Sequence, residues 1–574
     1  MKFWYRIIII FSLLLFTQIL APFLKEGMFL GHDSQLHSIY LRKFEEALRA
    51  GQFPVRWIDW FVPGFNQPLF NFYQPGIYYL FQIPRSLGLD YIPSLNVSAV
   101  FLWFISALLM FLFAKRHFGT LPGILSSFLY FLAPYHILDI FVRSALPEFT
   151  ALAFVPGIFW GIKAYFDSSK GLYLTLASFF VALVTISHPP TIIMFSPLIL
   201  AYITYLYLLY KSFRQILPVI FSLFVGFGLV SFFLIPAYFE QDYVQIVYMH
   251  SGYYDFHHHF VCLQQLFTPS WNYGTSQTGC TDKISFQLGI VHWLAVFILA
   301  AIICAKFWAG KKLAFISNFV NLENFNLREY WLLLIFLATL FTSVYIMLPI
   351  SQPIWETLPY IPFIQYSWRF LAVATFTSSF IAGSILIAFK NDTSRYIVFV
   401  CLMVAATYAY GGYLKPAAYG NSNEVDFGYK ILHPSENLKN FDPEPGYMPR
   451  WTDVLPAESD RPKEEVKILL GEAKIIDYKL TASLKKYNME MQKPSVARFF
   501  THYYPGWKVF VDSKEAQPNY DNIYGFMDIQ LPPGKHEVIL NLENTTLRSV
   551  SNILSINFFI VSLSFIFLYR KKTK

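Results

Sequence analysis

Lys2-Phe3-Trp4-Tyr5-Arg6, the apolar run Ile7 to Phe23 and, a few residues later, Gly31-His32-Asp33 decide how this chain is read. Two basic residues precede a stretch that is nearly all apolar, and an acid follows it. After Asp33 comes a polar, aromatic stretch that spans nothing. An acid placed where a first membrane helix leaves the bilayer points to chemistry at the outer membrane surface. A cleaved signal peptide is the competing reading of the run. Ala21-Pro22-Phe23 is a poor cleavage site and many apolar segments follow, so the run reads as a retained helix.

The rest of the composition agrees with a membrane chain. Of 574 residues, 55% are hydrophobic and 14% charged, against about 25% charged in a soluble protein. The mean hydropathy is +0.43. The net charge of +8 invites a nucleic-acid reading. Its positions favour topology instead, since basic residues collect at helix ends; no nucleic acid is expected as a partner, and membrane lipid is. Cys304 and Cys401 fall in apolar segments. Cys262 and Cys280 share one polar loop, where a disulfide and two reduced thiols are both open readings.

A span needs about 20 apolar residues. That rule gives roughly twelve, near 7–23, 95–114, 119–137, 148–166, 171–187, 191–210, 216–236, 288–308, 330–349, 370–389, 396–412 and 552–569. With the N-terminus inside, every inner connection is basic: Lys2 and Arg6, Lys115 and Arg116, Lys163 and Lys170, Lys211 and Arg214, Lys306 to Arg328, Lys390 and Arg395, then Arg570 to Lys572. The expected location is therefore the plasma membrane, with both termini cytoplasmic. Segments 24–94, 138–147, the Ser187-His188-Pro189-Pro190 corner, 237–287, 350–369 and 413–551 lie outside. All long loops fall on one face, whereas a transporter places its site at the midplane.

The outer segments have structure of their own. Ser34 to Ala50 has the period of an amphipathic helix, with Gly51 as its stop. Tyr78 to Leu87 is apolar but too short to span, which fits a segment lying along the interface. From about Val466 to Glu543 the pattern alternates, with turns at Tyr504-Pro505-Gly506 and Pro532-Pro533-Gly534. This predicts a small all-β, sandwich-like domain. The stretch 413–460 reads as irregular wrapping or linker. The expected organisation is a transmembrane domain over 1–412, an extracytoplasmic region over 413–551 with its β domain at about 466–543, and a last helix with a basic tail over 552–574.

Ionisable groups recur at the outer helix ends: Asp33, Arg143 with Glu148, His188, Glu240, Asp242 and Arg369. Each alone is also what a water boundary looks like. Asp33 differs, because it lies in a loop beside aromatic and amphipathic segments that would hold it at the interface. The outer loops are rich in aromatic and amide groups, among them Tyr73 in the first loop and Trp271 in the loop 237–287. That content suits a carbohydrate and equally an interfacial aromatic belt. His257-His258-His259 with His250, and the pair Asp33 and His37, give weak metal-ligand spacing; three adjacent histidines cannot easily turn to one ion. The expectation is no metal and no cofactor, a divalent ion being the lesser reading. There is no Walker motif, dinucleotide loop or nucleophile elbow.

Here the chain resembles the GT-C superfamily of membrane glycosyltransferases. The residues that carry this are Asp33 after the first helix, Ala47-Leu48-Arg49-Ala50-Gly51-Gln52-Phe53, Gln67-Pro68 and Tyr73-Gln74-Pro75. A nearer resemblance is to YfhO-type bacterial multi-spanning proteins and others labelled as related to 6-pyruvoyl-tetrahydropterin synthase. It rests on Gly31-His32-Asp33, Arg143-Ser144-Ala145-Leu146-Pro147-Glu148, Ile235-Pro236-Ala237-Tyr238-Phe239-Glu240, Ser285-Phe286-Gln287-Leu288-Gly289, Phe363-Ile364-Gln365-Tyr366-Ser367-Trp368-Arg369-Phe370, Tyr504-Pro505-Gly506-Trp507 and Pro533-Gly534-Lys535-His536. The pterin label has no support, because the sequence lacks the zinc-binding histidine cluster of that soluble enzyme.

The resemblance implies an α-helical polytopic GT-C-like fold and an inverting hexosyltransferase that uses a polyprenyl-phosphate-linked sugar donor. The acceptor would be an extracytoplasmic glycan, lipid or protein. Nucleotide sugars are made inside, so an outer site also calls for a lipid-linked donor. Asp33 would act as base, with Arg369, Arg143 and His188 on the donor phosphate. His32, Glu148, Glu240, Gln365, Trp368, Tyr73 and Trp271 would bind substrate. Many superfamily members have a second acid directly after the first; here Ser34 stands there. The alternatives are a lipid-sugar transporter, and a non-catalytic scaffold carrying a sugar-binding β domain.

Overall fold

The computed structural model describes residues 17–25, 27, 29–60, 64–308, 327–420, 445–454 and 464–569. The principal helices, in chain order, are α1 Ser34–Arg49, α2 Gly76–Ser86, α3 Tyr91–Phe118, α4 Thr120–Phe131, α5 Pro134–Phe141, α6 Leu146–Ser168, α7 Gly171–Ser187, α8 Pro189–Tyr210, α9 Phe213–Leu229, α10 Ser231–Phe239, α11 Ile290–Trp308, α12 Leu327–Met347, α13 Leu371–Ser384, α14 Asp392–Tyr410 and α15 Thr546–Leu568. The protein is a polytopic α-helical membrane protein with a C-terminal β domain.

Every expected segment from the second onward falls on these helices. Among the described residues eight are long and apolar enough to cross a bilayer, α4 and α5 counting together as Thr120–Phe141. The pair α9 and α10, bent by 69°, would make a ninth, while α7 and the Ile290–Cys304 part of α11 are shorter apolar helices. The first segment, 7–23, lies largely outside the described residues, as do Lys2, Arg6, Lys311, Lys312 and Arg570 to Lys572.

Burial sorts the helices into layers. Helix α6 is apolar on all sides and packed all round, as is α13, so these form the centre. Helices α9, α14 and α15 instead present Phe221, Phe224, Val404, Phe559 and Ile560 outward. In water such an apolar face would be a liability; against lipid tails it costs nothing. One end of the bundle is cationic and tied together: Arg116 meets Asp167 at 3.3 Å, Gln215 donates to the Phe166 carbonyl at 3.0 Å, and Gly171 N–H donates to the Tyr569 carbonyl at 3.1 Å. The first loop, the corner at His188, the segment 240–289 and the β domain gather at the other end. There Cys262 and Cys280 form a disulfide, Cα to Cα 5.6 Å.

The β domain has eight strands: β1 Val466–Leu470, β2 Ala473–Leu480, β3 Leu484–Met491, β4 Ser495–His502, β5 Trp507–Val511, β6 Lys514–Ala516, β7 Phe526–Leu531 and β8 Gly534–Leu542. One sheet has the order β2-β3-β8-β5-β6 and the other β1-β4-β7, with every paired ladder antiparallel. Tyr487, Met489, Val509, Val538 and Leu540 from the first sheet share one core with Ala497, Phe499, Met527 and Ile529 from the second. Alternate residues of each strand fill that core, which makes the domain a two-layer sandwich.

The sandwich is docked on the bundle through the first loop. Asn66 Nδ2 donates to the Phe500 carbonyl at 3.0 Å, and its Oδ1 accepts from His502 N–H at 2.9 Å. Trp57 packs edge-on to Trp507 at 5.5 Å. Behind them lies a buried polar knot. Glu240 Oε2 accepts from Arg548 Nε and Nη2, both at 3.0 Å, from Asn71 Nδ2 at 2.7 Å and from Tyr504 at 3.1 Å. Four separate stretches of chain therefore meet on one carboxylate.

Candidate functional site

A cavity of about 580 Å³ opens at the loop-rich end of the bundle. It is large enough for a sugar and part of a lipid head. Asp33 stands at the N-cap position of α1. The loop before it is stitched to a distant segment: His32 N–H donates to the Val142 carbonyl and Asp33 N–H to the Arg143 carbonyl, each at 2.9 Å. The approach is so close that a Cβ on Gly31 would lie 2.1 Å from Ser144 Oγ and 3.0 Å from the Val142 carbonyl. Only glycine fits, and Ser144 itself takes a φ of 52° to make the turn. This pairing brings Asp33 beside Arg143 although 110 positions separate them.

Arg143 is held in a fixed bed. Its Nη1 donates to Asp139 Oδ1 at 2.5 Å, to Glu148 Oε2 at 2.9 Å and to Tyr135 at 3.4 Å. Tyr135 in turn donates to Glu148 Oε1 at 2.5 Å. The same Glu148 Oε2 lies 3.4 Å from Arg369 Nε, so one carboxylate oxygen holds two guanidinium groups together. Arg369 Nη1 is anchored on the Ile364 carbonyl at 2.6 Å and Gln365 Oε1 at 3.1 Å. Two stacked rings, Tyr366 and Trp368 at 4.9 Å, support the pair from below. Arg143 lies 4.4 Å over Trp368 and Arg369 4.8 Å over Tyr366. Two like charges are thus fixed side by side in advance, by a shared counterion and aromatic faces.

His188, at the corner between α7 and α8, completes this wall. Its Nδ1 pairs with Thr191 Oγ1 at 2.7 Å. Burial pushes its pKa down to about 3, the Glu148 charge opposing and the two arginines adding, so it is a neutral hydrogen-bonding group at neutral pH. His37, one turn after Asp33, is lowered to about 4 by burial, and its Nδ1 is bonded to Tyr78 at 2.7 Å.

Asp33, His32, Tyr73, Arg143, Glu148, His188, Gln365, Trp368 and Arg369 all line this one cavity. Glu240 and Trp271 do not. Glu240 is the centre of the knot that joins the β domain to the bundle, while its neighbours Tyr238 and Gln241 line the cavity. Trp271 stacks flat on Tyr413 at 4.3 Å. The consecutive histidines diverge: His257 bonds Asp255 and Glu356, His258 approaches Thr278, and His259 bonds Ser276. Among the described residues no group of three or more His, Cys, Asp or Glu side chains is placed to hold a metal ion. Tyr135 and Asp139 were not singled out from the sequence. The signal was present in the four-residue spacing of Asp139 and Arg143, which a helical turn brings together.

No protein-family model matches the chain. An uncharacterized protein of Lactococcus lactis subsp. cremoris (strain MG1363) is 24% identical over 241 residues, 39% of this chain and 39% of that protein. Among solved structures, the apo crystal structure of the Archaeoglobus fulgidus oligosaccharyltransferase is similar with a TM-score of 0.40 and 13% identity. That likeness covers 78% of this chain and 61% of the other. The chain therefore spans less than two thirds of the length of either protein.

Proposed function

We propose that the cavity is the active site of an inverting membrane glycosyltransferase, which moves a sugar from a polyprenyl-phosphate donor to an acceptor outside the plasma membrane. The observation that carries this is the Asp33 loop stitched to Arg143, which sets a carboxylate and an anchored pair of arginines in one cavity at the membrane end. In the reaction the acceptor hydroxyl attacks the anomeric carbon and gives its proton to Asp33. The bond from that carbon to the phosphate oxygen breaks, and its electron pair leaves with the lipid phosphate. Negative charge grows on the leaving oxygens, where the arginine forks donate. Arg143 is held in its bed through Nη1, and its side chain lines the cavity. Neutral His188 adds a hydrogen bond without adding charge.

Basic helix ends at the opposite face support a cytoplasmic side there and an outer position for the cavity. The lipid-sugar transporter is less well supported, because the ionised cluster of Arg143, Glu148 and Arg369 sits at helix ends beside the loops rather than between the central turns of the spans. The test uses the purified protein in lipid with radiolabelled polyprenyl-phosphate sugars. Wild type turns over at least one donor, and Asp33→Asn loses about 10²- to 10⁴-fold. Full activity in Asp33→Asn removes the base, and no turnover of any donor by wild type removes the enzyme.

A further inference from the structure

Beyond the cavity the described surface carries an aromatic ridge that the mechanism above does not use. Tyr503 and Tyr520 of the β domain stack face to face, centroids 3.8 Å apart and planes 5° from parallel. Trp451 stands edge-on to both, at 5.0 and 5.8 Å. Tyr243 runs parallel to Trp451 at 6.1 Å. The exposed Arg450 covers Trp451 and Tyr243, at 4.9 and 5.6 Å. All four rings are half-buried, so each keeps surface for a ligand.

Two chain segments run from the cavity wall to this ridge. Gln241, Ile246 and Met249 line the cavity, and Tyr243 of the same stretch is in the ridge. Tyr447 lines the cavity, and Trp451, four residues on, is the centre of the ridge. The two segments pair with each other: Gln245 N–H donates to the Met448 carbonyl at 3.1 Å and Arg450 N–H to the Tyr243 carbonyl at 3.0 Å. Asp453 and Val454 then fasten to the Ile523 carbonyl of the β domain at 3.0 and 3.1 Å. The cavity and the ridge are thus opposite ends of one rigid, paired surface.

We infer that the ridge formed by Tyr243, Trp451, Tyr503 and Tyr520 binds a linear oligosaccharide of several sugar units, the acceptor whose reacting end lies in the cavity. This rests on the glycosyltransferase reading for the reacting end only; the binding stands apart from it. Flat rings with a polar edge offer apolar faces to the C–H faces of sugar rings while their edges stay wet. A rigid row of such rings loses little entropy when a chain settles on it. A protein or lipid acceptor would contact the cavity without needing this surface.

The test is direct binding of neutral oligosaccharides of two and of six hexose or N-acetylhexosamine units to the full-length protein in lipid, by calorimetry, with donor turnover measured separately. At least one six-unit chain binds wild type about tenfold more tightly than its two-unit counterpart, and Trp451→Ala or Tyr520→Ala removes that advantage. Trp451→Phe keeps most of it at unchanged thermal stability, which separates a lost ring from a lost fold. Affinity that does not grow with chain length, an advantage that survives Trp451→Ala, or no binding by any chain overturns the inference. Length-dependent binding without donor turnover removes the proposed reaction and leaves the ridge; turnover without length dependence does the reverse.

Discussion

Removing the Glu240 side chain tests whether this carboxylate holds the β domain on the bundle. Its side chain is 3% exposed and that of Arg548 is 2%, so both charges have left water. Arg56, also buried, stands on the far side of Asn71 and donates to its Oδ1 at 2.8 Å. Burial and the Arg548 charge lower the Arg56 pKa to about 10 against the pull of Glu240, which shows how crowded these cations are. Glu240→Ala leaves the buried Arg548 guanidinium without its counterion and within the field of Arg56. Breaking a buried pair from one side costs about 3–5 kcal/mol. The bonds from Asn71 and Tyr504 go too, at about 1 kcal/mol each, so the expected loss lies near the top of that range. Glu240→Gln keeps the shape and loses the charge, for about 2–3 kcal/mol. The double variant Glu240→Leu with Arg548→Met leaves only Arg56, which keeps Asn71 and the Phe232 carbonyl; it should be more stable than Glu240→Ala by about 2 kcal/mol or more. The assay is denaturant unfolding in micelles followed by tryptophan emission, since Trp57 and Trp507 meet at the junction. Glu240→Ala within about 1 kcal/mol of wild type, or a double variant no better than the single, would refute the reasoning.

Three further outcomes follow from particular contacts. Gly31→Ala pushes a methyl group into Ser144 Oγ; it should cost about 1–3 kcal/mol and depress donor turnover, and adding Ser144→Gly should restore part of both, as thermal unfolding and turnover will show. Replacing Cys262 and Cys280 together by serine opens a loop of separation 18; it should lower that loop's stability by about 3 kcal/mol, seen as faster proteolysis between 255 and 289. The third concerns His257, whose pKa is raised because its bonds to Asp255 and Glu356 outweigh burial. A raised histidine stabilises below the ordinary value near 6.5 and loses that as pH rises through the folded value; Asp255, lowered by bonds from His257 against burial, acts in the opposite sense at acid pH. The contact between 255–258 and Gln352–Thr357 should therefore be tightest between those limits, with amide protection relative to the intrinsic exchange rate falling in both segments as pH rises through the raised folded value of His257, and no such fall in His257→Gln.

The bundle was legible because lipid leaves a chain few choices. Every buried backbone group must be paired within its own helix, so apolar runs of the right length reveal spans, and alternation reveals a sheet with one wet face. What hydropathy misses is direction. Segment 216–236 reads as one straight span, yet the chain bends by 69° where α9 gives way to α10. Gly226 and Gly228 mark that place, since a Cβ on Gly228 would lie 2.3 Å from the Phe558 ring of α15. The last turn of α10 and the turn after it place Tyr238 and Gln241 on the cavity wall and Glu240 away from it. One residue step turns a helix by about 100°, so a boundary uncertain by two residues cannot tell a cavity wall from a buried strut.

The site shows the same limit more sharply. Asp33, Arg143, Glu148, His188 and Arg369 were visible as charges at the water boundary, one by one. What joins them is backbone: two N–H groups of the Gly31-His32-Asp33 loop on the carbonyls of Val142 and Arg143. A carbonyl carries no residue identity, so a single sequence gives no hint of that pairing beyond the glycine that permits it and the serine with positive φ that answers it. The arginine pair is likewise set by Tyr135 and Asp139, which sit in a segment that reads as apolar helix and loop. Their removal supplies the discriminating experiment for the site. Tyr135→Phe takes one donor from Glu148 and leaves both arginines in place, so turnover should fall by less than about tenfold. Asp139→Asn weakens the bed that fixes Arg143 without touching a ligand. If donor binding weakens in Asp139→Asn and Asp33→Asn binds donor as wild type does, the arginines hold the phosphate and the acid serves the chemistry. If both variants bind donor alike and turn it over alike, the stitched loop is only a packing device.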